Sequence, residues 1–265
     1  MSQEIFPYMQ KSELSGNARS LPQSIQEAGK EIRVFTPRFG VINERRHQLH
    51  EVIRLSGMNL IIDDTDHPLI IKVASISAAR MQVYFIDNEV YFKRKNPYTE
   101  DNGTYFKDND ERAMFFCRGV LETVKKLGWQ PDVIFCQGWM PSLLSIYIKK
   151  LYSKDPHFTD TKVINCLYND RFEGEWDPRF ADKLKFDGFD EEVTSKFTDT
   201  SYTGIMKVVS QYSDGLVVGS EQLDADLRAI FDEQSGPKLD YVSEEIRTKE
   251  MSAFFDRVIE EPVVI

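Results

Sequence analysis

One succession of elements between residues 108 and 151 constrains the fold of this chain more than any other feature. Acidic residues from Asp108 onward open a helical pattern of apolar residues, and Gly128 ends that pattern. The run Asp132–Cys136 is apolar after its first residue, which predicts a strand covered on both faces, and a second helical pattern follows over 143–151. A helix, a buried strand and a second helix in this order predict an α/β fold with a doubly wound, mostly parallel sheet.

The rest of the sequence continues the alternation of predicted strands and helices, with one interruption by a strand-rich region. Val- and Ile-rich runs between residues 50 and 87 are separated by polar turns, which predicts an inserted β-hairpin region. Residues 171–200 are rich in Gly, Asp and Phe, which predicts a long irregular loop with at most short helices. Because the sequence has no repeat and no low-complexity linker, we expect residues 1–265 to form a single domain. The other predicted elements are helices over 21–28 and 243–260 and strands over 31–36, 162–167 and 215–218.

Charge and composition exclude several classes of partner. The chain has 33 Lys and Arg against 43 Asp and Glu, a formal net charge of −10, so it repels nucleic-acid phosphates and anionic membrane surfaces. Neither an apolar stretch of transmembrane length nor a signal-peptide pattern is present in the sequence. The three cysteines lack C-x-x-C spacing and lie among apolar neighbours, which is typical of reduced thiols. We therefore expect a cytoplasmic protein without nucleic-acid or membrane partners.

A series of short motifs follows the predicted elements in a recognisable order. They are Glu4 with Pro7-Tyr8, Leu21-Pro22, Ile86-Asp87-Asn88 with Tyr91-Phe92, Asp108–Arg112 with Phe115-Phe116, Leu127-Gly128-Trp129 and Trp139. This order resembles the N-terminal catalytic domain of bacterial glycogen synthases and plant starch synthases, the ADP-glucose-dependent glycosyltransferases of family 5. The resemblance covers nearly the whole chain.

The resemblance implies a fold, a reaction and a set of partners. The fold would be the Rossmann-like N-terminal half of a GT-B glycosyltransferase, and the reaction would transfer glucose from ADP-glucose to the non-reducing end of an α-1,4-glucan. No metal or other cofactor is implied. The family's C-terminal donor-binding domain would lie beyond these residues or in a separately encoded partner protein. The family's first apolar strand would precede Met1.

Three family motifs mark the expected substrate site, and all three differ in this chain. The family's K-T-G-G-L loop, which approaches the donor phosphates, corresponds to Gln10–Leu14, where Glu13 replaces a glycine and Lys11 is the remaining cation. The family's H-D-W-H corresponds to Gln137–Met140, and its H-N corresponds to Tyr168-Asn169. No catalytic residue is assigned. The predicted substrate-binding residues are Lys11, Gln137, Trp139, Tyr168 and Asn169.

Each candidate also has a purely structural interpretation. A large aromatic residue after a buried strand, such as Trp139 or Tyr168, commonly packs in the core, and an exposed lysine such as Lys11 is commonly just solvated. His47 and His50 share helical spacing but have no third ligand, so no metal site is predicted. The segment 63–67 predicts a polar hairpin turn, not a cation site. Asp87 and Arg112, within family motifs, are expected to hold the fold, and the cysteines lack the basic neighbours of a nucleophile.

Two functional hypotheses remain open. In the first, the chain is a glycogen or starch synthase-type enzyme that transfers glucose from ADP-glucose, with a partner completing the cleft. In the second, it is a catalytically silent domain that binds α-glucan and serves glycogen metabolism as a scaffold or regulator. The replaced glycines and histidines predict weak or absent activity for the chain alone.

Overall fold

The computed structural model describes residues 1–261, in which strands and helices alternate as the sequence predicts. The strands are β1 (Val34–Pro37), β2 (His50–Glu51), β3 (Met58–Ile62), β4 (Thr65–Ile76), β5 (Met81–Asp87), β6 (Val133–Gln137), β7 (Lys162–Leu167), β8 (Gly215–Val218) and β9 (Lys238–Leu239). The helices are α1 (Glu13–Glu27), α2 (Glu44–His47), α3 (Glu89–Phe92), α4 (Asn109–Lys126), α5 (Trp139–Ser142), α6 (Leu144–Ile146), α7 (Phe180–Asp187), α8 (Glu191–Thr194), α9 (Tyr202–Gln211), α10 (Ala225–Glu233) and α11 (Glu244–Glu260). A 3₁₀ turn spans Ser77–Ala79, and a π-helical turn spans Tyr147–Leu151.

Two sheets organise these elements. The first is fully parallel, with the strand order β6-β7-β8-β9, and its central strands β7 and β8 are buried along their whole length. The second has the order β1-β5-β4-β2, with β3 paired to β4; β1 and β5 are parallel and the other pairs are antiparallel. The predicted α/β fold with a parallel sheet and an inserted β-hairpin region is therefore confirmed.

Residues 1–3 join the two sheets. The backbone N–H of Ser2 donates to the carbonyl of Phe35 in β1 at 3.0 Å, and the N–H of Gln137 in β6 donates to the carbonyl of Met1 at 3.0 Å. The N–H of Gln3 returns a bond to the carbonyl of Gln137 at 3.3 Å. This short segment thus pairs with a strand on each side at the carboxyl ends of β1 and β6.

Helix α4 lies at the centre of the molecule and fixes the segment that precedes it. The Arg112 side chain is fully buried, and its guanidinium donates to the carbonyls of Tyr91 at 2.8 Å and Pro97 at 2.6 Å. In the mixed sheet, the buried Asp87 carboxylate accepts an ion pair from Lys72 at 3.0 Å. Both motif residues hold the fold, as predicted, because each ties separate segments together inside the core.

The N-terminal helix begins earlier than its pattern predicted. The sequence predicts a helix from Leu21, whereas α1 starts at Glu13 and runs through Pro22. Ser12 and Ser15 form a reciprocal cap, with the Ser12 hydroxyl accepting from the Ser15 N–H at 3.0 Å and the Ser15 hydroxyl accepting from the Ser12 N–H at 2.8 Å. This local cap, together with burial of the apolar face against α11, stabilises a helix that Pro22 alone would discourage.

Other boundaries differ by smaller amounts. The predicted strand 31–36 begins only at Val34, and the predicted helix 143–151 is divided between α6 and the π-helical turn, with α5 directly before it. The turn predicted within 63–67 is confirmed, because β3 and β4 form a hairpin around residues 63 and 64. The long segment 171–200 carries only the short helices α7 and α8, as predicted, while α9 and α10 were not predicted.

No helix within residues 1–261 has both the length and the apolar character needed to cross a bilayer.

Candidate functional site

A cleft of about 460 Å³ opens at the carboxyl ends of the parallel strands. Its walls come from residues 3–4, the start of α1, the turn after β7 and the turn after β8. This is the place where open α/β sheets bind ligands, because loops that leave neighbouring strands in opposite directions leave a crevice between them. The wall residues are Gln3, Glu4, Ser12, Glu13, Leu14, Tyr168, Asn169, Asp170, Ser220, Glu221 and Gln222.

The cleft is acidic, with four carboxyl groups on its walls and no basic side chain among them. The exposed Glu13 accepts a hydrogen bond from the Ser220 hydroxyl at 2.7 Å, so α1 and the turn after β8 hold its carboxylate across the cleft. Glu4 accepts hydrogen bonds from the Tyr98 hydroxyl at 3.0 Å and from the Ser12 hydroxyl at 3.3 Å. Burial raises the pKa of Glu4 above its ordinary value, against the opposing effect of these two bonds.

Asp170 is the most tightly held carboxyl group of the cleft. One carboxylate oxygen accepts from the Tyr202 hydroxyl at 2.7 Å, and the other accepts from the Gln3 amide at 3.0 Å and from the backbone N–H of Trp139 at 3.2 Å. Burial nevertheless dominates and raises the pKa of Asp170 to about 6. A fixed carboxyl group with such a pKa can donate or accept a proton near neutral pH.

Gly138 makes room for this arrangement. Its φ is +91°, a left-handed conformation that favours glycine, and a Cβ at this position would lie 2.6 Å from the Gln3 side chain and 2.9 Å from an Asp170 carboxylate oxygen. By the resemblance of Gln137–Met140 to the family's H-D-W-H motif, Gly138 stands where that motif has its aspartate. In this chain, the side chains of Gln3 and Asp170 occupy the space around that position.

Two of the predicted site residues lie together. The buried Tyr168 donates its hydroxyl to the side-chain oxygen of Gln137 at 3.1 Å and accepts from the Asn17 amide at 3.3 Å. Gly219 packs directly on the Tyr168 ring, because a Cβ there would lie 2.4 Å from it. Tyr168 reaches the cleft wall, but Gln137 lies behind it and does not line the cleft.

Trp139 lies outside the cleft and packs in the core. Its side chain is 1% exposed, and its ring meets Phe172, Tyr98 and Trp176 edge to face at centroid distances of 5.3, 5.7 and 6.0 Å. The expectation of a ring available for sugar stacking is therefore corrected: in this structure, residues from the long loop cover that ring. Only the backbone N–H of Trp139 contributes to the cleft, through its bond to Asp170.

The last two predicted residues occupy the surface. Lys11 is exposed, makes no ion pair within residues 1–261 and is not among the cleft walls. Asn169 lines the cleft and ties two turns together: its amide donates to the Gln222 carbonyl at 2.7 Å and its side-chain oxygen accepts from the Asp224 N–H at 3.0 Å. Within the described part of the chain, no group of His, Cys, Asp and Glu residues is arranged to hold a metal ion.

Sequence reasoning missed Gln3, Asp170 and Tyr202. Asp170 could have been predicted, because it lies in the turn after the buried strand β7 and the carboxyl ends of parallel strands line ligand clefts. Tyr202 carried none, since it belongs to a helix that the pattern did not predict.

The fold and the cleft define a Rossmann-like α/β domain with an acidic cleft at the carboxyl ends of its parallel strands. Residues 1–242 match the family described as the starch synthase catalytic domain, and the chain belongs to that family. The chain is 38% identical over 170 residues to a glycogen synthase of Chlorobium limicola, which covers 64% of this chain and 35% of that protein. It is 32% identical over 231 residues to a glycogen synthase of Chlorobium phaeobacteroides, which covers 84% of this chain and 47% of that protein.

Comparison with solved structures gives the same fold. The catalytic domain of starch synthase IV from Arabidopsis thaliana, bound to ADP and acarbose, matches with a TM-score of 0.65 at 17% identity, over 82% of this chain and 43% of that one. The chain spans less than half the length of the glycogen synthases quoted above, from 35% to 47%.

Proposed function

We propose that this chain acts in cytoplasmic glycogen metabolism as an α-glucan-binding domain that does not transfer glucose on its own. Family membership supports a role in glucan metabolism. The observation that carries the proposal is the Glu13 carboxylate, which the Ser220 hydroxyl holds across the cleft at 2.7 Å.

The charge of the cleft disfavours a nucleotide diphosphate. Glu4, Glu13, Asp170 and Glu221 all line it, and Lys11 does not. Each ionised carboxylate within 4 Å of a phosphate charge would cost about 1 kcal/mol in a wet site and more in a drier one. An ADP-glucose diphosphate would meet several such charges with no cation on the walls to offset them.

The same walls suit a neutral polyol. Sugar hydroxyls both donate and accept, so they can bind carboxylates, the Asn169 amide, the Ser220 hydroxyl and the Gln222 amide. A cleft of about 460 Å³ has the size of a small-ligand pocket. The glucan would enter along the exposed turns after β7 and β8.

The family reaction is the second candidate function. It is favoured by family membership and by the fixed Asp170 carboxyl, whose pKa of about 6 suits proton transfer. In this version the chain would supply the acceptor side of a cleft, and a donor-binding domain, separately encoded or adjoining, would supply positive charge for the ADP leaving group.

Affinity electrophoresis through a gel containing glycogen tests glucan binding. We expect the protein to be retarded in proportion to glycogen concentration, and Asn169→Ala to weaken retardation at least about fivefold because it removes an amide on the cleft wall. Asn59→Ala, an exposed change on β3, is the matched control and should migrate like the parent chain. Equal mobility with and without glycogen for the folded parent chain would contradict the proposal.

A further inference from the structure

An exposed turn at residues 100–104 lies between α3 and α4. The backbone N–H of Glu100 closes it by donating to the Thr104 carbonyl at 2.8 Å. The turn contains Asn102 followed by Gly103, and no other asparagine of the sequence precedes a glycine. An asparagine before a glycine brings its side-chain amide within reach of the following backbone nitrogen, because glycine has no Cβ to obstruct the approach.

The Asn102 side chain is folded back over the next peptide. Its side-chain oxygen accepts a hydrogen bond from the Thr104 N–H at 2.9 Å, which holds the amide beside the Gly103 peptide that the bond spans. The same bond withdraws electron density from the amide carbonyl, so its carbon is easier to attack. Gly103 has a φ of +86°, and a Cβ there would meet no atom within 4 Å among residues 1–261. The approach of the Gly103 nitrogen is therefore sterically open.

One hydrogen bond opposes this approach. The Gly103 N–H donates to the Glu100 carbonyl at 3.0 Å, and this bond must be released before the nitrogen can react. The release is local, because every residue of the turn is exposed and none belongs to a hydrophobic core cluster. Exposed turns with few buried contacts open at low free energy without unfolding of the domain.

Two chemically similar side chains that also precede glycines are fixed inside the fold. The Asp187 side chain is 2% exposed and pairs with Arg118 at 2.6 Å, and the Asp214 side chain is 6% exposed and pairs with Lys149 at 2.6 Å. Because a buried ion pair holds each carboxylate, neither can turn toward the nitrogen that follows it. Asn102 differs from both in being exposed and uncharged.

We propose that Asn102 is a site of spontaneous modification, at which the side-chain amide becomes a carboxyl group by way of a cyclic imide. The Gly103 nitrogen, after loss of its proton to hydroxide, bonds to the side-chain carbonyl carbon of Asn102. The bond from that carbon to the side-chain nitrogen breaks, and ammonia leaves with a proton taken from water. Water then opens the imide at either carbonyl, which gives aspartate in one case and isoaspartate in the other.

The two products change the turn in different ways. Aspartate keeps an acceptor for the Thr104 N–H and adds a negative charge beside Asp101, whose carboxylate pairs with Lys95 at 2.8 Å. Isoaspartate routes the main chain through the former side chain and lengthens it, which breaks the closing bond at Thr104. The next residue, Tyr105, donates its hydroxyl to the Arg171 carbonyl at 3.0 Å. Loosening of the turn therefore reaches the long segment that begins at Arg171.

Ageing of the purified, folded chain at mildly alkaline pH tests this proposal. Peptide mapping by mass spectrometry should show a gain of about 1 Da at Asn102, at least about tenfold faster than at the exposed Asn59, which precedes a leucine. Isoaspartate should form beside aspartate, as detected by an isoaspartyl methyltransferase. Asn102→Gln is the matched control, because it keeps the amide but needs a larger ring, and residue 102 should then stay unmodified over the same period.

Three results would overturn the proposal. The first is an equal rate of conversion at Asn102 and Asn59. The second is aspartate without isoaspartate at Asn102, which would mean direct hydrolysis of the amide in place of attack by the Gly103 nitrogen. The third is conversion in the urea-unfolded chain but none in the folded chain, because the bond from Gly103 to Glu100 would then protect the site.

Discussion

At the scale of single residues, the cleft depends on which carboxyl groups the fold keeps in place. Asp170 has three hydrogen-bond partners from three different parts of the chain, and Gly138 leaves the space that they need. From its resemblance to H-D-W-H, the motif Gln137–Met140 instead predicted that the Trp139 ring binds substrate. Exposure of a side chain depends on what packs over it, and the covering residues Phe172 and Trp176 belong to an irregular segment without periodicity.

Replacement of Asp170 should change how stability depends on pH. The folded-state pKa of about 6 lies above the ordinary value of 3.8, so the folded protein binds this proton more tightly than the unfolded chain. Its contribution to the free energy of unfolding is therefore present at low pH and lost as pH rises through about 6. The Tm of the parent chain minus that of Asp170→Asn should fall between about pH 4 and about pH 6 and level off above that range, in thermal unfolding scans.

The exposed Asp160→Asn variant is the control for that series. Its Tm difference from the parent should stay constant over the same pH range. If the Tm difference for Asp170→Asn also stayed constant, the pKa of this carboxyl would be the same in the folded and unfolded states. That result would contradict its buried, hydrogen-bonded environment.

At the scale of elements, helix capping and burial determine those helix boundaries that the apolar pattern of the sequence does not predict. Helices α4 and α11 and strands β6, β7 and β8 could be predicted because their apolar spacing is local and continuous. Helix α1 could be predicted only in part, because Pro22 obscured its continuation and the Ser12–Ser15 cap lies a full two turns earlier. Strand β9, with two residues, is too short to produce a pattern.

Loss of the Ser12 cap should destabilise the protein measurably. Ser12→Ala removes the acceptor of the Ser15 N–H at the start of α1, a change that typically costs about 1 kcal/mol. We expect a Tm lower by about 2–4 °C, measured by circular dichroism. The control Ser20→Ala lies on the exposed surface of the same helix and should leave the Tm unchanged or slightly raised. Equal Tm values for the two variants would show that the cap contributes nothing.

At the scale of the whole molecule, the fold could be predicted from the sequence, whereas the chemistry of the cleft could not. The order of motifs and the α/β alternation were sufficient to predict the family and the fold, and both are confirmed. The position of the cleft follows from the parallel strands, as for any doubly wound sheet. Its acidity does not follow from the fold, because it rests on side chains such as Glu13 and Asp170 that neighbouring turns bring together.

Transfer of labelled glucose from ADP-glucose to glycogen is the measurement that tests the account most directly. The purified, folded chain is incubated with both compounds, and label in the precipitated polymer is compared with a no-protein control. We predict no incorporation above that control, together with retention of the protein by glycogen, because carboxylates occupy the walls that a diphosphate would need. Incorporation above the control would contradict the proposal that this domain binds glucan without transferring glucose.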